Sequence, residues 1–230
     1  MKFKPQLQEI ISEEELGLID IIECNEPLVR LIDIIPDAVI SMTEERKRES
    51  DETLYLRRGA AKALFIVSDL VKEKDYKMRI FDGFRPIECQ QKLYDSVCER
   101  LKAEEPNLTD EELLKKAFLY VFPPSWDKKR PPAHSTGGAV DITLSTYSGY
   151  ELDMGTKYCE FDNPLIYTNA NGLTALQKEN RMFLVSSMAK AGFVNFPGEW
   201  WHYSIGDREY AAYRREKVAK YGRANDPYKI

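Results

Sequence analysis

Two histidines occur in 230 residues, and each keeps the company of carboxylates and small or aromatic turn residues. His134 opens the run His134-Ser-Thr-Gly-Gly-Ala-Val-Asp141, and His202 closes Glu199-Trp-Trp-His202. Neutral imidazole is the commonest metal-binding side chain, and an aspartate completes a set of three donors. Two His and one Asp leave a zinc ion with a fourth position open to water, which separates catalytic sites from closed structural ones. Glu199, three residues before a ligand, is then placed to take a proton from that water. The bland alternative is two histidines that merely pack or lie on the surface. It leaves their shared setting unexplained.

The elements that must position these groups can be read on either side. Ala139-Val-Asp-Ile-Thr-Leu144 alternates with period two, so Val140, Ile142 and Leu144 face one way and Asp141 and Thr143 the other. Seven extended residues would put His134 about 23 Å from Asp141. The two share a zinc ion only if the chain doubles back, and Gly137-Gly138 is the place for a hairpin-like reversal. Glu199 and His202 would face opposite sides of a regular strand. A bulge there, or a strand beginning after Glu199, is therefore expected. Trp200 and Trp201 either wall the site or pack in the core. Arg85 follows a predicted strand, Lys77–Phe81, and its Asp82-Gly83 turn, where functional loops concentrate; alone it reads better as a surface or salt-bridge residue.

Further helices are predicted from Leu54 onward. One carries Ala60, Leu64, Val67 and Val71 on a single face, with Arg57, Arg58 and Lys62 elsewhere. A second starts at Pro86 with Ile87, Tyr94, Val97 and Leu101 as its apolar positions. A third opens with the capping box Thr109-Asp-Glu-Glu112 and runs to Tyr120. A fourth spans Leu176–Ala191, with Leu176, Val185, Met188 and Ala189 inward and Gly192 as its stop. Phe193–Phe196 and Trp200–Ser204 read as strands flanking a Pro197-Gly198 turn. Residues 1–50 give no clear periodicity. Helices and strands mix without strict alternation, so the fold class is α+β.

Composition narrows the functional classes. A formal charge of −5 gives no support to nucleic-acid binding. The basic stretch from Tyr213 to Arg223 is interrupted by an acid and reads as a solvated helix face. The four cysteines, Cys24, Cys89, Cys98 and Cys159, form no C-x-x-C pair, which fits reduced thiols in a cytoplasm. The N-terminal stretch lacks the apolar run of a signal peptide, and nothing approaches the roughly 18 apolar residues of a membrane span. A cytoplasmic protein without membrane partners is expected. With no repeat or linker in view, residues 1–230 are read as a single domain.

Together these motifs resemble the zinc D-alanyl-D-alanine dipeptidases, within the zinc D,D-peptidase fold shared with D,D-carboxypeptidases, some phage endolysins and the Hedgehog signalling domain. The family pattern His-x-x-Gly-x-Ala-x-Asp stands as His134 to Asp141, and Glu-x-x-His as Glu199 to His202. Asp82-Gly-Phe-Arg85-Pro is similar to the segment bearing the family's transition-state arginine. Asp153-Met-Gly-Thr156, Leu176-Gln-x-x-Asn180-Arg181 and Ala191-Gly-Phe193 also look like it. The likeness runs from about residue 54 to 204, leaving 1–53 and 205–230 outside it.

The resemblance implies a central antiparallel sheet with flanking helices and one Zn2+ per chain held by His134, Asp141 and His202. It implies Glu199 as general base and acid, Arg85 as oxyanion stabiliser, and a small D-amino-acid dipeptide as substrate in peptidoglycan precursor turnover. Two positions depart from the pattern. Where the dipeptidases carry a Phe-Asp pair whose Asp holds the substrate's ammonium, this chain has Tyr158-Cys159, and a thiol cannot serve as that counter-ion. Either Glu160, or failing it Asp162, replaces that aspartate, or the preferred substrate differs. Pro132 stands where many members have Ser. Rival readings are a zinc D,D-carboxypeptidase or cell-wall endopeptidase of the same fold, or a non-catalytic zinc-containing binding protein. A structural zinc site, however, has no use for Glu199 and Arg85.

Overall fold

The computed structural model describes residues 10–44, 46–47, 53–118 and 120–228. The expectation of a missing leader rests largely on residues 1–9, which lie outside the described residues. The strands are β1 (Asp20–Ile21), β2 (Leu28–Arg30), β3 (Val39–Ile40), β4 (Tyr55–Arg57), β5 (Tyr76–Asp82), β6 (Ala139–Thr146), β7 (Val194–Asn195), β8 (His202–Ser204) and β9 (Val218–Ala219). The helices are α1 (Glu13–Gly17), α2 (Leu31–Ile34), α3 (Arg58–Lys72), α4 (Ile87–Glu104), α5 (Asp110–Ala117), α6 (Ala133–Thr136), α7 (Ala175–Lys190) and α8 (Arg208–Tyr213).

The main sheet has five strands in the order β3-β5-β6-β8-β7. All its pairs are antiparallel except β3–β5, so the predicted antiparallel sheet carries a parallel edge strand. Strand β6 lies at the centre and is buried along nearly its whole length, as its period-two pattern requires only for one side. Val140, Ile142 and Leu144 join the main core with Ala60, Leu64, Val67 and Val71 of α3 and Leu184 and Met188 of α7. Asp141, Thr143 and Ser145 alternate to the other side and are buried too. Burial of both faces follows from the cleft elements packed over the polar one. The result is the predicted α+β class.

Three expectations fail in detail. Leu176 and Ala189 of α7 are exposed, and Asn180 and Arg181 are buried in their place. The stretch 213–223 is not a helix: α8 stops at Tyr213, Arg215 takes φ 59°, and the chain then pairs as β9 in parallel with β1. Arg57, expected on the helix that carries Ala60, instead ends β4 and is buried, donating to the Thr136 and Glu26 carbonyls and to Glu23. The Thr109–Glu112 capping box closes the start of α5 as expected, although the helix stops at Ala117 rather than Tyr120, and Gly192 leaves α7 at φ 95°.

Candidate metal centre and catalytic cleft

The chain reverses between His134 and Asp141 by a helical turn rather than a hairpin. Pro131-Pro132 leads into α6, and Gly137 ends it in the left-handed region at φ 73°. A Cβ at Gly137 would stand 2.5 Å from Leu28 Cδ2, so both conformation and space call for glycine. Arg57 fastens this turn: its N–H donates to the Gly137 carbonyl and its Nε to the Thr136 carbonyl. The His134 ring then lies with Nδ1 2.8 Å from the Gly83 carbonyl, and Nε2 3.3 Å from Asp141 Oδ1.

His202 is the first residue of β8 and pairs directly with Asp141 across the ladder. Its Nδ1 lies 2.9 Å from Asp141 Oδ1 and its Nε2 3.3 Å from Glu209 Oε1. Donor atoms of His134, Asp141 and His202 lie within 4.8 Å of one another, and all three residues are buried. Each imidazole has one nitrogen held by an outer partner, Gly83 or Glu209. That arrangement fixes the tautomer and turns the other nitrogen toward the metal position. Burial works against charge on Asp141, yet the two imidazoles hold its carboxyl well below the usual range. Three buried donors converging with a net negative charge fit a dication, and the His2Asp set suits zinc.

The irregularity expected near Glu199 takes the form of a turn. Strand β8 begins after Glu199, and the His202 N–H donates back to the Glu199 carbonyl at 3.3 Å. Asn195 Nδ2 donates to the carbonyls of both Glu199 and His202, at 3.2 and 3.0 Å, pinning the turn from β7. Glu199 thereby reaches the same cleft as the three donors. Burial first, then the charges of Asp141 and Glu209, push its carboxyl up to about 7 against the pull of His202. A second register shift sits in β5, where Ile80 faces Ile142 but Asp82 faces Asp141. The extra residue, Phe81, stacks on Tyr158 at 4.2 Å, and Tyr158 donates its hydroxyl to Asp141 Oδ2 at 2.9 Å.

Arg85 is buried at the cleft wall. Its Nε and Nη2 both donate to Asp82 Oδ2, at 2.9 and 2.6 Å, and its Nη1 donates to Gln90 Oε1 at 2.8 Å. Asp82 Oδ1 accepts from Arg46 Nε and the Gly83 N–H. A guanidinium carries five N–H donors, so two of Arg85 remain beyond these three bonds. Trp201 lines the cleft, while Trp200 is turned into the core and donates its Nε1–H to Thr156.

Part of the lining comes from the segment from Met154 to Thr168. Arg181 reaches into it from α7 and donates to the carbonyls of Met154, Tyr167 and Leu165, each at 2.6 Å. Tyr158, Cys159 and Phe161 line the cleft; Glu160 does not. The Glu160 carboxylate is exposed and accepts from the Lys157 N–H and from Asn163 Nδ2. Cys159 adopts φ 60°, and this left-handed residue turns Glu160 back onto its own loop. Asp162 is likewise away from the lining and accepts from the Tyr120 hydroxyl at 2.6 Å. The proposed ammonium anchor is therefore not at the site.

Sequence reasoning brought together His134, Asp141, His202, Glu199 and Arg85, and missed several partners. Glu209 lies seven residues after His202, beyond any motif. Asp82 and Tyr158 stood inside quoted segments, yet their bonds to Arg85 and Asp141 form only in the folded chain. Asn195 carried no signal.

A buried His2Asp cluster with a neighbouring carboxylate of raised pKa is the site of a metallohydrolase. The D-ala-D-ala dipeptidase family matches residues 42–219, and the chain belongs to that family of metallopeptidases. A D-alanyl-D-alanine dipeptidase of Synechocystis sp. is 31% identical over 195 residues, covering 73% of this chain and 78% of that protein. One from Enterococcus faecium is 30% identical, covering 65% and 72%. Among solved structures, a vancomycin-resistance D,D-pentapeptidase in complex with Zn(II) is similar at 17% identity and a TM-score of 0.46, covering 86% of this chain and 92% of that one.

Proposed function

We propose that this protein hydrolyses the D-alanyl–D-alanine bond of small peptides in peptidoglycan turnover, with His134, Asp141 and His202 as ligands of its one zinc ion. The observation that carries the reading is the convergence of those three donors beside Glu199 and Arg85 in one cleft. The names of the curated relatives, D-alanyl-D-alanine dipeptidases, supply the substrate class. When bound, zinc supplies a Lewis acid that polarises the scissile carbonyl and acidifies water.

The chain's own groups do the rest. Glu199, in its ionised form, takes the proton of the attacking water and passes it to the leaving amine. A carboxyl poised near 7 serves both steps better than one at its ordinary value. Arg85 offers its two remaining N–H groups to the oxygen that becomes negative. Asp82 and Gln90 hold it in place beforehand, so little reorganisation accompanies the reaction. Tyr158 and Trp201 narrow the cleft around the reacting bond.

We place the activity in the cytoplasm, on the four cysteines standing as separate thiols. Among the described residues no helix is long and apolar enough to cross a membrane. A panel of D- and L-dipeptides, assayed with and without a chelator, tests the reading. Chelator-sensitive cleavage confined to peptides ending in D-Ala is expected, and cleavage of L,L-dipeptides alone would refute it.

A further inference from the structure

We infer that Tyr158 is a positioning residue of the metal centre: its hydroxyl reserves one oxygen of Asp141, so that Asp141 offers a metal ion a single donor. The inference rests on the reading of His134, Asp141 and His202 as the ligand set, and it gives a role to a residue outside that set.

The two oxygens of Asp141 keep different company. Oδ1 has His202 Nδ1 at 2.9 Å and His134 Nε2 at 3.3 Å, so the donors converge on that atom. Oδ2 accepts from the Tyr158 hydroxyl at 2.9 Å and, among the described residues, from no other group. An ionised carboxylate has acceptor sites on both oxygens and can close on a metal with one or with two. Turning Oδ2 toward the metal would break a hydrogen bond to a charged acceptor inside a buried site, and such bonds are among the stronger ones. With Tyr158 counted, every ligand has an outer partner: the Gly83 carbonyl for His134, Glu209 for His202, and this hydroxyl for Asp141.

Packing fixes the hydroxyl in place. The Tyr158 ring stacks on Phe81 at 4.2 Å with the planes 7° apart, and meets Trp201 edge-on at 5.5 Å. Phe81 is available as a platform because β5 bulges there, between the Ile80–Ile142 and Asp82–Asp141 pairs. The same bulge sets Asp82 opposite Asp141, where it holds Arg85. The loop carrying Tyr158 is tied on both sides. Trp200 donates to Thr156 before it, and Arg181 donates to the Leu165 and Tyr167 carbonyls after it. Phenylalanine would pack on Phe81 and Trp201 equally well; the hydroxyl's bond is to the metal ligand.

The consequence is a coordination number. Three protein ligands with one donor each leave a zinc ion its fourth position for water, and a second oxygen from Asp141 would crowd that position.

Substituting Co2+ for zinc tests this without any substrate, because four-coordinate Co2+ absorbs visible light several-fold more strongly than five- or six-coordinate Co2+. The wild-type protein is expected to show the strong four-coordinate band. Tyr158→Phe should still bind one Co2+ per chain, with its absorption reduced to the five-coordinate level. Its zinc form should lose about 10–100-fold in kcat/KM, as removal of an outer partner usually does. Phe81→Leu keeps the hydroxyl but removes its platform, so its spectrum should move the same way by less; it decides the matter if Tyr158→Phe does not fold. A wild-type spectrum in Tyr158→Phe, or in Phe81→Leu where only that variant folds, would overturn the inference. Turnover of other peptides would count against the D,D-peptidase reading and leave the role of Tyr158 standing. A wild-type protein that binds no Co2+ would remove the metal centre and this role together.

Discussion

Asp141 and His202 stand directly opposite one another on β6 and β8, with Oδ1 and Nδ1 2.9 Å apart. The ladder register therefore sets half of the metal site, since a one-residue slip would turn one of them to the apolar side. His134 is added by a four-residue helical turn whose end is fixed by Gly137 and Arg57.

Glu209 orients His202 from the side away from the metal position. Glu209→Gln should leave the fold intact and weaken zinc affinity about 10–100-fold, the usual effect of removing such a partner. Competition with a chromogenic chelator measures it. Unaltered affinity would mean that His202 is held by β8 alone.

Glu199→Gln should retain zinc and lose about 10²–10⁴-fold in kcat. Glu199 accepts a proton only when ionised, so activity is present above its pKa and is lost as pH falls through it. Burial holds its carboxyl up at about 7, and a dication nearby favours the ionised form. The acid limb of kcat/KM is therefore expected at or below about pH 7. A limb well above 7 would assign the titration to another group.

Arg85→Lys keeps the charge but cannot bridge Asp82 and Gln90 while presenting further N–H groups. A fall in kcat with KM nearly unchanged is expected, because the partner charge develops only in the transition state. A rise in KM alone would make Arg85 a substrate-binding residue.

Gly137→Ala should destabilise the protein by at least about 1 kcal/mol, from the left-handed conformation alone. The clash with Leu28 adds to this. Denaturant unfolding reads the loss, and zinc content should fall with it because the same turn carries His134. Wild-type stability would show that α6 can end another way.

The residues that do chemistry were the most legible part of the sequence, and the groups that hold them the least. Alternation over Ala139–Leu144 placed Asp141 on the polar side of a strand, and the Glu199–His202 spacing demanded the break that the turn provides. Hydrophobic periodicity misjudged α7 because Arg181 is buried through bonds to carbonyls on a distant loop, which apolar spacing cannot register. Glu160 was placed by its nearness in sequence to the missing aspartate. The left-handed Cys159 turns it away, and nothing in the residue type of cysteine announces that conformation. Glu209, Asp82 and Asn195 act through contacts that exist only once the sheet has formed.

Zinc stoichiometry joined to turnover tests the central claim most directly. The purified protein, His134→Ala and His202→Ala are each measured for bound zinc and for cleavage of peptides ending in D-Ala-D-Ala. One zinc per wild-type chain, with both zinc and cleavage lost in each folded variant, is the predicted result. Either variant retaining a full equivalent of zinc and wild-type cleavage would contradict it.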